Sequence, residues 1–504
     1  MAPALSVSSP ASYSHARSKR CVIGIHGSWY DVTDFIPQHP GGDLLWKFAG
    51  LDATEVFVSF HPRGGVLKQV AGCKVGSYTR TADPVKTEYA RMARAFVKAG
   101  FLSTSTSWLV INLSRVAALF ALMLWLVLSA NQFVLGGLAL ALFWQQCGGF
   151  LHDCMHSNLT YNMTLDGWLG WLFGTVAIGI NSDWWKREHD LHHALVNAYT
   201  TAPETQSSFA RDYGVPDAVL VHPEETEAAK SVPPGPSEAS SAVEKRAADL
   251  VERRPRSSSD ARSSSPSSTQ PHELGLPVLP LENPRNVVQA YAVDIQMKED
   301  IWAQALDVWL LSYQHIYFLP AVFFLGRIGI LINAWKHERT VRQWSGFVIH
   351  FAATAVLFSY LPSWRDVAVF YATAAVGEGV LHMQLIINHY INEWGLDENV
   401  AHDFVRWTCQ VTHNVPSPRW LDWFHVGLHL HIEHHLFPKV ARCHFRAIQP
   451  AVKDFAAKHG MPYRELPFAR TPFELYRSFA EGAASVCAVP DPIPDAEDVA
   501  LVAE

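Results

Sequence analysis

The sequence predicts a mainly α fold: a polytopic four-helix transmembrane bundle with a histidine-rich cytosolic cap, plus a small N-terminal α+β domain. Three observations carry that expectation. Apolar runs at 108–130, 132–151, 344–362 and 366–388 have about the length a bilayer demands and pair into two hairpins. Eight of the 25 histidines fall in three short clusters, each beside a long apolar segment. Residues 21–80 lack such a run and read as a compact soluble unit.

Composition agrees. The 504 residues are 49% hydrophobic with 18 Trp, although one long stretch is strongly polar, so the apolar residues must be concentrated in segments. The formal charge of −7, with no basic stripe, argues against nucleic acid as a partner. Seven scattered cysteines without a C-x-x-C pair read as reduced thiols in a cytosol-facing or membrane-embedded protein.

Residues 1–20 carry Ser, Ala and basic residues but no acid and no apolar core. They read as a disordered tail rather than a secretory signal, with a plastid transit peptide as the alternative. In 21–80, Trp29-Tyr30-Asp31-Val32-Thr33-Asp34-Phe35 runs into His39-Pro40-Gly41-Gly42, and His61-Pro62 follows Phe57 and Phe60. Two histidines on separate turns among aromatics suit the two axial positions of a buried haem; two ordinary surface histidines are the bland alternative. Residues 81–107 predict a linker with an amphipathic helix (Tyr89, Met92, Phe96, Val97) that lets the first domain dock and leave.

The first hairpin, with its histidines, spans 108–203. Its residues 167–181 are apolar but short, which predicts an interfacial or re-entrant segment. Residues 204–285 are rich in Ser, Pro, Glu and Arg and predict a disordered insert. In 286–480, the run at 310–334 contains His315, Pro320 and Arg327. The basic residues around Lys336 favour the cytosolic side, so this run is expected to be interfacial. The second hairpin and a polar C-terminal region follow, and 481–504 is an acidic tail.

The clusters carry the chemistry. His152 and His156 stand at i, i+4; His189, His192 and His193, and again His431, His434 and His435, stand at i, i+3, i+4. On a helix such residues share one face and can surround a cation. Cys154 lies inside the first cluster, but a soft thiolate disfavours hard-metal oxygen chemistry and it is not counted as a ligand. His389, after Asn388 at the end of an apolar run, is either a further ligand or a capping polar residue. Eight or more histidines exceed one zinc site and suit two metals. If His39 and His61 hold a haem that carries single electrons, redox-active iron is favoured over zinc, and with it oxidation of an apolar substrate from the bilayer.

In this order the motifs resemble the cytochrome b5-fusion front-end acyl desaturases. HPGG stands within 21–80, then H-x-x-x-H, W-W-K before H-x-x-H-H, N-H, and I-E-H-H-L-F-P. The resemblance implies a cytochrome b5-like domain with His39 and His61 as axial ligands of haem b. It implies two non-haem iron ions held by His152, His156, His189, His192, His193, His389, His431, His434 and His435. It further implies O2 as co-substrate, an NADH-cytochrome b5 reductase as donor, and a membrane lipid or acyl-CoA as substrate. The expected location is the endoplasmic reticulum membrane, with the plastid envelope as the alternative. The expected reaction is a new cis double bond toward the carboxyl end of an unsaturated chain (Δ5/Δ6-type). Acyl or sphingoid-base hydroxylation, or Δ8 sphingolipid desaturation, is the runner-up. A non-catalytic haem-tethered binding protein would lack a box histidine, and none is lacking. Two positions depart from the family pattern: His431 stands where Gln is usual, and Val426-Gly427 where two glycines are usual.

Overall fold

The computed structural model describes residues 20–199, 301–336, 340–392, 395–396 and 403–487. The expected N-terminal tail, the 204–285 insert and most of the acidic tail lie outside them. The N-terminal unit has three antiparallel strands, β1 (Val22–Ile25), β2 (Ser28–Asp31) and β3 (Lys74–Ser77). His26 and Gly27 close the first hairpin, both with positive φ, as a tight two-residue turn requires. Short 3-10 turns and α1 (Thr54–Phe60) complete the unit around Ile23, Ile25, Phe48 and Val56.

The linker helix forms as α2 (Pro84–Lys98). Asp83 caps it, accepting from the Val85 amide at 2.8 Å, and Pro84 stands in the first turn. It is not a loose tether. Tyr89, Met92 and Phe96 are buried, the Tyr89 hydroxyl donates to the Leu436 carbonyl at 2.7 Å, and Phe96 meets Phe437 edge-on. The apolar stripe therefore joins the N-terminal unit and the third histidine cluster in one shared core, against the expectation of free docking and release.

α3 (Thr106–Leu128) and α4 (Phe133–Met155) make the first hairpin. α5 (Met163–Gly170) runs into a π-helix (Trp171–Ile178), and α6 (Ser182–Ala194) leaves at 111°, a bend that suits either a broken span or the re-entrant form of the expected interfacial or re-entrant segment. Gly179, at φ +85°, makes that bend. Further on come α7 (Ile301–Lys336), α8 (Val341–Ser359) and α9 (Trp364–Tyr390). Small residues seat α4 on α9: a Cβ at Gly377 would lie 2.6 Å from that of Ala141, and one at Gly137 2.6 Å from the Phe370 carbonyl.

Among the described residues, four helices are long and apolar enough to cross a membrane: α3, α4, Ser312–Ile332 within α7, and α9. The count agrees with the expected four; the assignment differs. The run at 310–334 meets the spanning test, and α8, given to the second hairpin by its sequence, does not. Arg327, the charge inside this run, is buried and lies 3.4 Å from the Glu378 carboxylate. α8 instead turns Gln343 and His350 toward the re-entrant segment, to Thr175 and the Val176 carbonyl.

The cap holds α10 (Phe404–Val411), α11 (Asp422–His425), α12 (His431–Leu436), α13 (Phe445–Lys458) and α14 (Thr471–Cys487). The last runs six residues past the expected start of the acidic tail at 481, and Phe479 packs on Phe318 of α7.

Candidate metal centre

Four elements deliver the histidines. α4 ends on His152 and His156, α6 carries His189, His192 and His193, α9 ends on His389, and α12 carries His431, His434 and His435. The structure brings all nine together in two groups. His152, His156, His189, His193 and His434 form one; His192, His389, His431 and His435 form the other. Within each group the ligand atoms lie within 4.8 Å of one another.

The split corrects one expectation. The three histidines of an H-x-x-H-H cluster do not surround a single cation. Successive residues on a helix are turned by about 100°. The i and i+4 members therefore stay together, and the i+3 member swings away. His189 and His193 share one group while His192 crosses to the other; His431 and His435 share the second while His434 crosses back. The groups share a wall, where the His193 and His435 rings stack at 4.1 Å.

The nitrogens converge. Nε2 of His152 lies 2.9 Å from Nε2 of His434, His156 from His189 at 2.9 Å, and His389 from His435 at 2.9 Å. Bonds of about 2 Å at right angles around one cation put neighbouring nitrogens about 3 Å apart, so these groups fit a metal each. Burial holds the His431, His434 and His435 imidazoles well below the ordinary histidine range, with neighbouring histidines adding to the effect. They are neutral at pH 7, as ligation requires. Cys154 is buried and belongs to neither group.

Supporting residues fix the rings, and the sequence reading did not single most of them out. Trp185 stacks on His189 at 4.3 Å. Asn197 donates to the His389 carbonyl at 3.0 Å, and Asn158 to that of Pro438 at 2.9 Å. Asn414 accepts from the Ile432 amide and donates to Glu433, which Tyr463 also bonds at 2.6 Å. Burial raises Glu433 to about 7 against those two donors. Asp153, next to His152, pairs with Arg442 at 2.9 Å. Single Asn, Tyr and Arg residues 18 to 289 positions from their partners leave no periodic signal. Beside His152 a narrow apolar crevice runs between Gly148, Gly149, Ile180, Leu381, Val426 and Leu428.

His39 follows a 3-10 turn and His61 ends α1; their ring centroids are 6.2 Å apart. Two nitrogens about 2 Å either side of one ion set imidazole centroids about 6 Å apart, so the pair fits a haem iron. Gly41 gives the ring room: a Cβ there would lie 3.0 Å from His39. Burial lowers both histidines, His61 to about 4, and Lys439 adds to the effect on His61. Lys439 itself donates to the His156 carbonyl. The haem pocket therefore faces the first metal group.

Comparison with known proteins gives the following. A family model described as fatty acid desaturase matches residues 129–220 and 284–467. One described as cytochrome b5-like heme/steroid binding domain matches 12–79. The chain is 25% identical over 466 residues to the Delta(8)-fatty-acid desaturase 1 of Arabidopsis thaliana, covering 90% of this chain and 87% of that protein. It is 24% identical over 485 residues to the acyl-lipid (9-3)-desaturase of Borago officinalis, covering 94% and 92%. It is 23% identical over 478 residues to the acyl-lipid (8-3)-desaturase of Thraustochytrium, covering 89% of each. No solved structure matches.

Proposed function

The chain belongs to the fatty acid desaturase family, fused to a cytochrome b5-like domain, and from that premise we propose that it inserts a cis double bond into an unsaturated acyl chain on the carboxyl side of an existing one. The observation that supports this most is the pair of imidazole groups beside an apolar crevice. In this reading the nine histidines would hold the metal ions, and His39 and His61 would hold the haem. Bound iron and haem supply dioxygen activation and single-electron transport.

The chain's own residues do the rest. Neutral imidazoles present Nε2 lone pairs without competing protons. The wall formed by Gly148, Gly149 and Leu381 excludes water and holds adjacent methylenes beside His152. Lys439 holds the His156 backbone by its ammonium group and lies near enough to His61 to lower it. An NADH-cytochrome b5 reductase is the proposed donor, and a membrane lipid or acyl-CoA the substrate. The proposed location is the endoplasmic reticulum membrane with the site facing the cytosol. The Δ8 names among the relatives widen the proposed positions from Δ5 and Δ6 to Δ8.

The test is gas chromatography–mass spectrometry of fatty acids from yeast expressing the chain and fed single unsaturated acids, with double bonds located by derivatisation. A new bond between the existing one and the carboxyl end is the expected product, lost in His434→Ala while the protein stays in the membrane. A hydroxylated chain, or product retained in His434→Ala, would overturn the reading.

A further inference from the structure

Val426 stands in left-handed backbone, at φ +46° and ψ +29°. A β-branched side chain rarely adopts that region, because its methyls crowd the following peptide. Among the described residues, the other non-glycine positions with positive φ hold His, Asn, Ser or Tyr, none of them β-branched. The next residue, Gly427, is also left-handed, at φ +90°. Two successive left-handed residues suit the glycine pair that the family pattern carries here, yet this chain places Val at the first.

The surroundings hold the strained turn in place. Arg442 donates to the Val426 carbonyl at 2.7 Å and pairs with Asp153, next to His152. A strained residue held by a bound framework beside a reactive site points to use of its side chain. That side chain is 4% exposed and lines the crevice with Gly149, His152, Trp185 and Leu381. Gly149 packs directly against it: an added Cβ there would lie 2.8 Å from the Val426 Cβ, so the Val426 methyls occupy the room beside that glycine.

We propose that Val426 is a specificity-determining residue: its methyls narrow the crevice beside His152, so that a straight saturated stretch of acyl chain fits and a cis-kinked stretch does not. This rests on the acyl desaturase reading. It selects substrates whose existing double bond lies well away from the methylenes to be oxidised.

Two variants separate bulk from strain. Val426→Gly removes both, and Val426→Ala removes most of the bulk but keeps the left-handed strain. In yeast fed equal amounts of oleic acid (bond at carbon 9) and cis-vaccenic acid (bond at carbon 11), both variants should raise the oleate-to-vaccenate product ratio about tenfold, the size of a lost pocket methylene or two. A ratio unchanged in both variants, with product still formed, would overturn the proposal and leave the desaturase reading standing. A binding measurement covers the case of no turnover. cis-Vaccenate should raise the thermal midpoint of the purified wild-type protein more than oleate does, and the difference should vanish in both variants. Equal shifts by the two acids in the wild type would overturn the proposal, whatever the activity.

Discussion

His192 and His193 are neighbours in sequence that serve different groups, and the site depends on that divergence. His193 lies with His189 and His434; His192 lies with His389, His431 and His435. The two groups therefore lose different members when single residues change. His192→Ala should lower the non-haem iron of the purified protein toward one per chain and abolish product, with haem content unchanged. Loss of both irons or of neither, measured against haem absorbance, would contradict the split. The spacing i, i+3, i+4 made the nine histidines legible in sequence, His389 included once the family pattern was applied. The partition into five and four was not legible. It depends on α6 and α12 facing each other, and no local pattern records that. Asn414, Tyr463 and Arg442 escaped notice for the same reason.

At the scale of elements, α7 shows how a distant partner alters a local reading. A lone Arg in the middle of an apolar run argues against a span. Arg327 has Glu378 on α9, the Tyr371 hydroxyl at 3.2 Å, and the Trp144 ring under its guanidinium at 4.2 Å. Those residues lie 44, 51 and 183 positions away, so the window around 327 cannot reveal them. Breaking such a pair leaves a buried charge and costs about 3–5 kcal/mol. Arg327→Ala should lower the thermal midpoint in detergent by several degrees, whereas the double replacement Arg327→Met with Glu378→Met should restore most of it. A double variant no better than the single would show that the pair matters for something other than charge balance. The re-entrant segment, by contrast, was legible from its shortness. The π-helix within it was not, since π-helices are rare and carry no clear pattern.

Across the whole molecule, three units meet at one place. The helical bundle ends on His152, His156 and His389, the cap supplies α12, and the N-terminal unit rests on both through α2. Glu88 of α2 reaches Lys458 and His459, and Asp83 takes two bonds from Arg406, at 2.8 and 3.0 Å. The N-terminal unit is thereby fixed through α2 against the cap that carries α12, in line with a short route for electrons within one chain. The domain order and four-span bundle were legible from hydropathy and motif order. The fixed seating was not, because the amphipathic stripe of α2 says only that one face is buried, not against what. The most direct test of the account is metal analysis of the purified full-length protein from iron-replete cells. Plasma emission for iron and zinc is set against haem absorbance and protein mass. The account predicts three irons per chain, one as haem and two as non-haem iron. One non-haem iron, or zinc filling both groups in a preparation that still forms product, would contradict it.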